Sequence, residues 1–93
     1  MQFNKKQIES CIKAGFWCAE EQKDGDLIAH FEDEKRKFRM IVRKVDGGFK
    51  AWIVDYLGSP KSITRSHKNG CSPVYRFNSV PEAARLAVEN CHF

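Results

Sequence analysis

From Lys37 to Leu57 apolar and polar side chains alternate at nearly every position, and a period of two belongs to a β-strand rather than a helix. The alternation breaks once, at Val45-Asp46-Gly47-Gly48-Phe49. A two-residue turn there, at Asp46-Gly47 or Gly47-Gly48, supplies the positive φ angles that tight hairpins need. The stretch therefore reads as one long β-hairpin. Either turn gives the same facing. Phe38, Met40 and Val42 lie beside Phe49, Ala51, Ile53 and Leu57; on the reverse, Arg39, Ile41, Arg43 and Val45 lie beside Lys50, Trp52, Val54 and Tyr56. The first set makes a core. The second mixes cations with large aromatics and is the candidate binding face.

At 93 residues the chain has the size of one domain with a modest core, so residues 1–93 are read as a single compact domain. No apolar run approaches the roughly 20 residues that span a bilayer. The opening Met-Gln-Phe-Asn-Lys-Lys has no apolar signal core, so the expected compartment is the cytosol, without membrane contact. Four cysteines (Cys11, Cys18, Cys71, Cys91) are expected to be reduced there. The net charge of +4 conceals an asymmetry: residues 1–34 carry four Lys against eight Asp/Glu, and residues 35–93 carry twelve Lys/Arg against four. A basic field concentrated in one part of a small domain favours polyanionic partners.

Asn4 and Gln7 form a capping-box pattern ahead of a helical stripe of Ile8, Cys11 and Ile12, with Phe3 placed to staple onto Ile8. Gly15 is the expected helix stop; continuing the stripe through Phe16 and Ala19 to Gln22 is the competing reading. Gly15 to Glu21 and Asp26 to Asp33 then read as two strands around an Asp24-Gly25 turn, and Glu32-Asp33-Glu34-Lys35-Arg36-Lys37 as an exposed turn. Beyond Leu57, residues 58–73 are long for a loop and add Lys61, Arg65 and Lys68 to the basic field, with room for a short strand at Ser62 to Arg65. Val74 to Phe77 reads as a last strand. Ser79-Val80-Pro81-Glu82 opens a final helix whose apolar stripe is Val80, Ala83, Ala84, Ala87, Val88 and Cys91.

Zinc sites pair Cys or His two to four residues apart, twice over; only His67 and Cys71 make such a pair, and Cys91-His92 would have to complete the set. Phosphate-binding glycine loops and nucleophile elbows are missing, and His30 with Glu32 and Asp33 is the sort of polar cluster that strands and turns produce routinely. No metal, cofactor or small-molecule substrate is called for, and the chain is read as a binding protein, not an enzyme. Arg39, Arg43, Lys50, Lys61, Arg65, Lys68 and Arg76 suit phosphates, while Trp52 and Tyr56 suit unpaired bases or sugars. The bland alternative packs Ile41, Trp52 and Val54 under the N-terminal helix with the cations at the rim.

Three strands followed by a helix, with Arg and Trp on the free sheet face and Phe77-Asn78-Ser79-Val80-Pro81-Glu82-Ala83-Ala84 entering the helix, resembles the arm-site-binding (AP2-like) domain of phage integrases over about residues 37–90. That likeness implies direct binding of duplex DNA. The order helix, strands, helix is also similar to double-stranded-RNA-binding domains, although Ser79-Val80-Pro81-Glu82 lacks their lysine cluster. A basic chain of this size without an enzyme signature resembles, as a size class, the small phage inhibitors of host defence, anti-CRISPR proteins among them. That resemblance implies docking on a nucleoprotein complex, such as a CRISPR effector with its guide RNA.

The resulting expectation is an α+β domain: an N-terminal helix, an antiparallel sheet centred on the 37–57 hairpin, and a C-terminal helix on one sheet face. It is expected to bind through Arg39, Arg43, Lys50, Trp52, Tyr56, Lys61, Arg65, Lys68 and Arg76. The first reading is a phage-type inhibitor that blocks nucleic-acid binding by a host complex; the second is a duplex-DNA-binding domain.

Overall fold

Asp46-Gly47 is the turn that closes the central hairpin, and Gly47 takes the positive φ of 81° that the reversal requires. In the computed structural model, which describes residues 2–54, 60–61 and 75–90, the arms are β3 (Lys37–Val45) and β4 (Gly48–Val54), paired from Val45↔Gly48 to Arg39↔Val54. Before them run α1 (Lys5–Ala14), β1 (Cys18–Glu21) and β2 (Leu27–Glu32); after them come β5 (Pro60–Lys61), β6 (Tyr75–Phe77) and α2 (Val80–Asn90). The sheet is antiparallel throughout, in the order β1-β2-β3-β4, with β5 and β6 both on the far edge of β4. The chain is α+β.

β5 and β6 share that edge as two pieces of one line. Lys61 opposes Ile53 and Tyr75 opposes Ala51, so the chain leaves and rejoins β4 two residues apart. Gly48 allows β6 to come close at the hairpin end. A Cβ there would lie 2.6 Å from the Phe77 carbonyl oxygen, at a position whose φ is not positive, so the constraint is space and not backbone conformation. Gly48→Ala must therefore push β6 away. Overpacking of this kind costs about 1–3 kcal/mol, and the expected result is a lower urea midpoint with an unchanged slope.

α1 begins as its sequence requires. Asn4 accepts from the Gln7 N–H at 2.8 Å and Gln7 Oε1 accepts from the Asn4 N–H at 2.8 Å. The helix stops at Gly15, φ 122°, with the Gly15 and Phe16 N–H groups donating to the carbonyls of Ile12 and Cys11. Those bonds satisfy two carbonyls that would otherwise end the helix unpaired. Reversal at Gly15 delays the first strand, which starts at Cys18 instead of Gly15, and β2 is trimmed at both ends to Leu27–Glu32. The predicted strand at Ser62 to Arg65 lies outside the described residues, as do Tyr56, Leu57, Val74, Cys91 and His92. α2 opens with the Glu82 N–H donating to Ser79 Oγ at 3.3 Å.

Every second residue of the sheet feeds one core. Leu27, Ala29, Phe38, Met40, Val42, Ala51 and Ile53 are fully buried, together with Val80, Ala83, Ala84 and Ala87 of α2 and Cys11 of α1. Three small residues on the buried stripe of α2 let that helix lie close to its neighbours. Phe31 stacks on Phe38 at 4.8 Å between centroids and 7°, and Phe16 meets both rings edge-on at 5.6 and 5.9 Å. Phe3 is buried against Phe49, with ring centroids 6.0 Å apart. The segment before α1 is held by Glu21, whose Oε1 accepts from the Gln2 and Phe3 N–H groups at 3.0 and 2.8 Å. Burial raises the Cys11 thiol to about 11 and leaves it a packing group.

The exposed turn predicted between β2 and β3 is tied to the far helix. Asp33 Oδ1 accepts from the Lys35 N–H at 2.9 Å and the Arg36 N–H at 2.6 Å. These donors, that of Lys35 first, hold the Asp33 carboxyl below its ordinary value. Arg36 then spans Asp33 Oδ2 and the Val88 carbonyl, the latter at 2.6 Å, and its guanidinium lies 4.8 Å from the Phe31 ring centre. A cation thus meets the carbonyl end of α2, where the helix dipole favours it.

Candidate functional site

Both helices pack on the Phe38, Met40, Val42 side of the sheet, with α1 beside α2 and in contact with β1. This decides against the alternative in which α1 covers Ile41, Trp52 and Val54. The reverse face carries neither described helix. Because paired residues share a face, the strand register arranges it in rows that cross the strands.

One row is cationic. Arg43 on β3 opposes Lys50 on β4, and Lys50 opposes Arg76 on β6. Three like charges placed directly opposite one another destabilise a sheet unless something compensates them. Asp26, one step beyond Leu27↔Val42, supplies part of that compensation. Its Oδ1 and Oδ2 accept from Arg43 Nε and Nη2 at 3.0 and 2.9 Å. Arg76 donates Nη2 to the Asp46 carbonyl across the hairpin turn. Lys50 stands between them, exposed.

The next row is apolar: Ile28, Ile41 and Trp52 on three adjacent strands, all half-buried, with Glu20 outside Ile28. The Arg43 guanidinium sits over the Trp52 ring, 5.3 Å from its centre, so this arginine is held by a carboxylate and an indole together. The Asp26 bonds, and after them its charge, raise the Arg43 pKa further. The third row is mixed: Cys18, His30, Arg39 and Val54.

The fold brings together Arg43, Lys50, Trp52 and Arg76. Arg39 shares their face but lies one row beyond Trp52 and two rows, about 13 Å along the strand, from Arg43. Lys61 is placed by its backbone pairing with Ile53 at the same edge. Tyr56, Arg65, Lys68, His67 and Cys71 lie outside the described residues. Among the described residues no group of three metal-ligating side chains forms, and no helix is long and apolar enough to cross a membrane.

Two residues, one in the site and one near its margin, were not marked by the sequence pattern. Asp26 was legible once β2 was set in register against β3, since that register puts it opposite Arg43. Trp17 gave no signal: it precedes β1, is 63 % exposed, and packs on His30 with ring centroids 5.7 Å apart. No family model, no curated protein and no solved structure matches the chain.

Asp26 restrains the row as well as steadying it. Its side chain is 10 % exposed and that of Arg43 56 %, so solvent screens half of the pair. Asp26→Asn is expected to cost about 1 kcal/mol in urea unfolding. It also adds one net positive charge to the row, so binding to a polyanion should tighten and steepen with salt. Stability and affinity should move in opposite directions.

Proposed function

We propose that the protein acts by binding and not by catalysis, laying the sheet face that carries neither described helix on nucleic acid within a nucleic-acid-handling complex and blocking that complex. The observation that carries this reading is the row Arg43, Lys50 and Arg76, three cations on three adjacent strands, bordered by Trp52 on a face that neither helix occupies. A sheet bears directly opposed like charges at a cost, and a polyanion relieves it. The adjoining apolar row gives such a ligand a second kind of contact. The inhibitory role is the part of the proposal that rests on the small size and basic charge of the chain.

The test is capture from bacterial lysate by wild type and by Lys50→Ala/Arg76→Ala, each with and without nuclease. A ribonucleoprotein identified by both its protein and its RNA, captured by wild type only, supports the proposal. Capture of bulk duplex DNA alone, abolished by nuclease, replaces it with direct DNA binding. Equal capture by both proteins removes the sheet face from the account.

A further inference from the structure

We infer that the nucleic acid this face accepts is an unpaired strand, lying across the β-strands with phosphates on the Arg43, Lys50, Arg76 row and bases on the Ile28, Ile41, Trp52 row. The inference rests on the binding role proposed above and adds the class of ligand.

The order of the rows selects this ligand. Adjacent rows on one face are two residues apart, about 7 Å along each strand. Both run perpendicular to the strands over β3 and β4, the cationic one on to β6 and the apolar one back to β2. A ligand that uses both must present a line of negative charge with a line of flat apolar groups beside it. An unpaired strand has that form, because its bases leave the backbone on one side and are free to stack. A duplex turns its bases inward and offers phosphates and groove edges, which bring no flat apolar group to the half-buried Ile28, Ile41 and Trp52. Charge alone would accept either form; the apolar row separates them.

Arg43 joins the rows. Held by Asp26 at 3.0 and 2.9 Å and set over Trp52 at 5.3 Å, its guanidinium fixes the indole beside the cations. A base stacking near Trp52 would meet a cation whose position is already determined, which lowers the ordering cost of binding.

Fluorescence anisotropy tests this with labelled 12-nucleotide oligothymidine and oligouridine and a 12-base-pair duplex, all at one salt concentration. Both single strands are expected to bind about tenfold or more tightly than the duplex. Trp52→Leu is expected to weaken the single strands roughly tenfold, in line with stacking on one base, and to leave the duplex unchanged. In a Trp17→Phe background, emission from Trp52 should be quenched on addition of oligothymidine. Far-ultraviolet circular dichroism confirms that each variant is folded. Duplex binding as tight as single-strand binding, or no effect of Trp52→Leu, overturns this inference and leaves the binding role standing. No binding of any of the three probes by wild type overturns both.

Discussion

Replacing Lys50 and Arg76 together by glutamate should weaken binding to a polyanion by about two orders of magnitude or more at moderate salt. Asp26 pairs with Arg43, so among the described residues Lys50 and Arg76 hold the charge of the row that no carboxylate meets. Reversal turns an attractive row into a repulsive one. Opposing like charges across an interface costs several kcal/mol, and each 1.4 kcal/mol is a factor of about ten. The salt slope should flatten by about two contacts. Both side chains are exposed, and Arg76 contributes one hydrogen bond to the hairpin turn, so the stability change should stay within about 1 kcal/mol. Anisotropy titrations at several salt concentrations measure the first effect, and a urea melt the second. Unchanged affinity in a folded variant would mean that the row is not a binding surface.

Phe38→Ala should be the most damaging single core substitution among the described residues. The ring is fully buried, stacked on Phe31 at 4.8 Å and met edge-on by Phe16 at 5.9 Å. Its removal exchanges a stacked pair for a cavity between rigid neighbours. Such changes cost about 3–5 kcal/mol, a large part of the total stability of a domain this size, and should lower the melting temperature on the order of 20 °C. Ile12→Ala is the contrast, because Ile12 is 46 % exposed on α1 and its loss should move the midpoint little. A calorimetric scan of both separates the aromatic cluster from general loss of hydrophobic bulk.

The period-two pattern made the central hairpin legible, with its facing and its Asp46-Gly47 turn, because alternation is a local property of the chain. The helix stop at Gly15 was legible for a similar reason: only glycine sits easily at φ 122°. Its consequence for β1 was not, since the turn through Phe16 is fixed by the distant rings of Phe31 and Phe38. Of the candidate site, Arg43, Lys50, Trp52 and Arg76 came together because register follows from facing. The Asp26 bridge needed the register of β2 against β3, which alone puts Asp26 opposite Arg43, and the separation of Arg39 was missed because charge is counted along the chain while rows are counted across strands. The side on which α1 lies depended on tertiary packing, which no local pattern encodes.

The broken edge line of β5 and β6 bears on how this domain can vary. Lys61 and Tyr75 attach to β4 at positions two residues apart, so whatever length of chain joins them begins and ends at nearly the same point in space. Doubling a loop with neighbouring ends costs only about 0.6 kcal/mol in closure entropy. The junction is therefore a natural place for insertions, exchanges and deletions: related molecules could differ widely between positions 61 and 75 while keeping the same scaffold, and a foreign segment grafted there would be displayed at the margin of the row that holds Lys50 and Arg76.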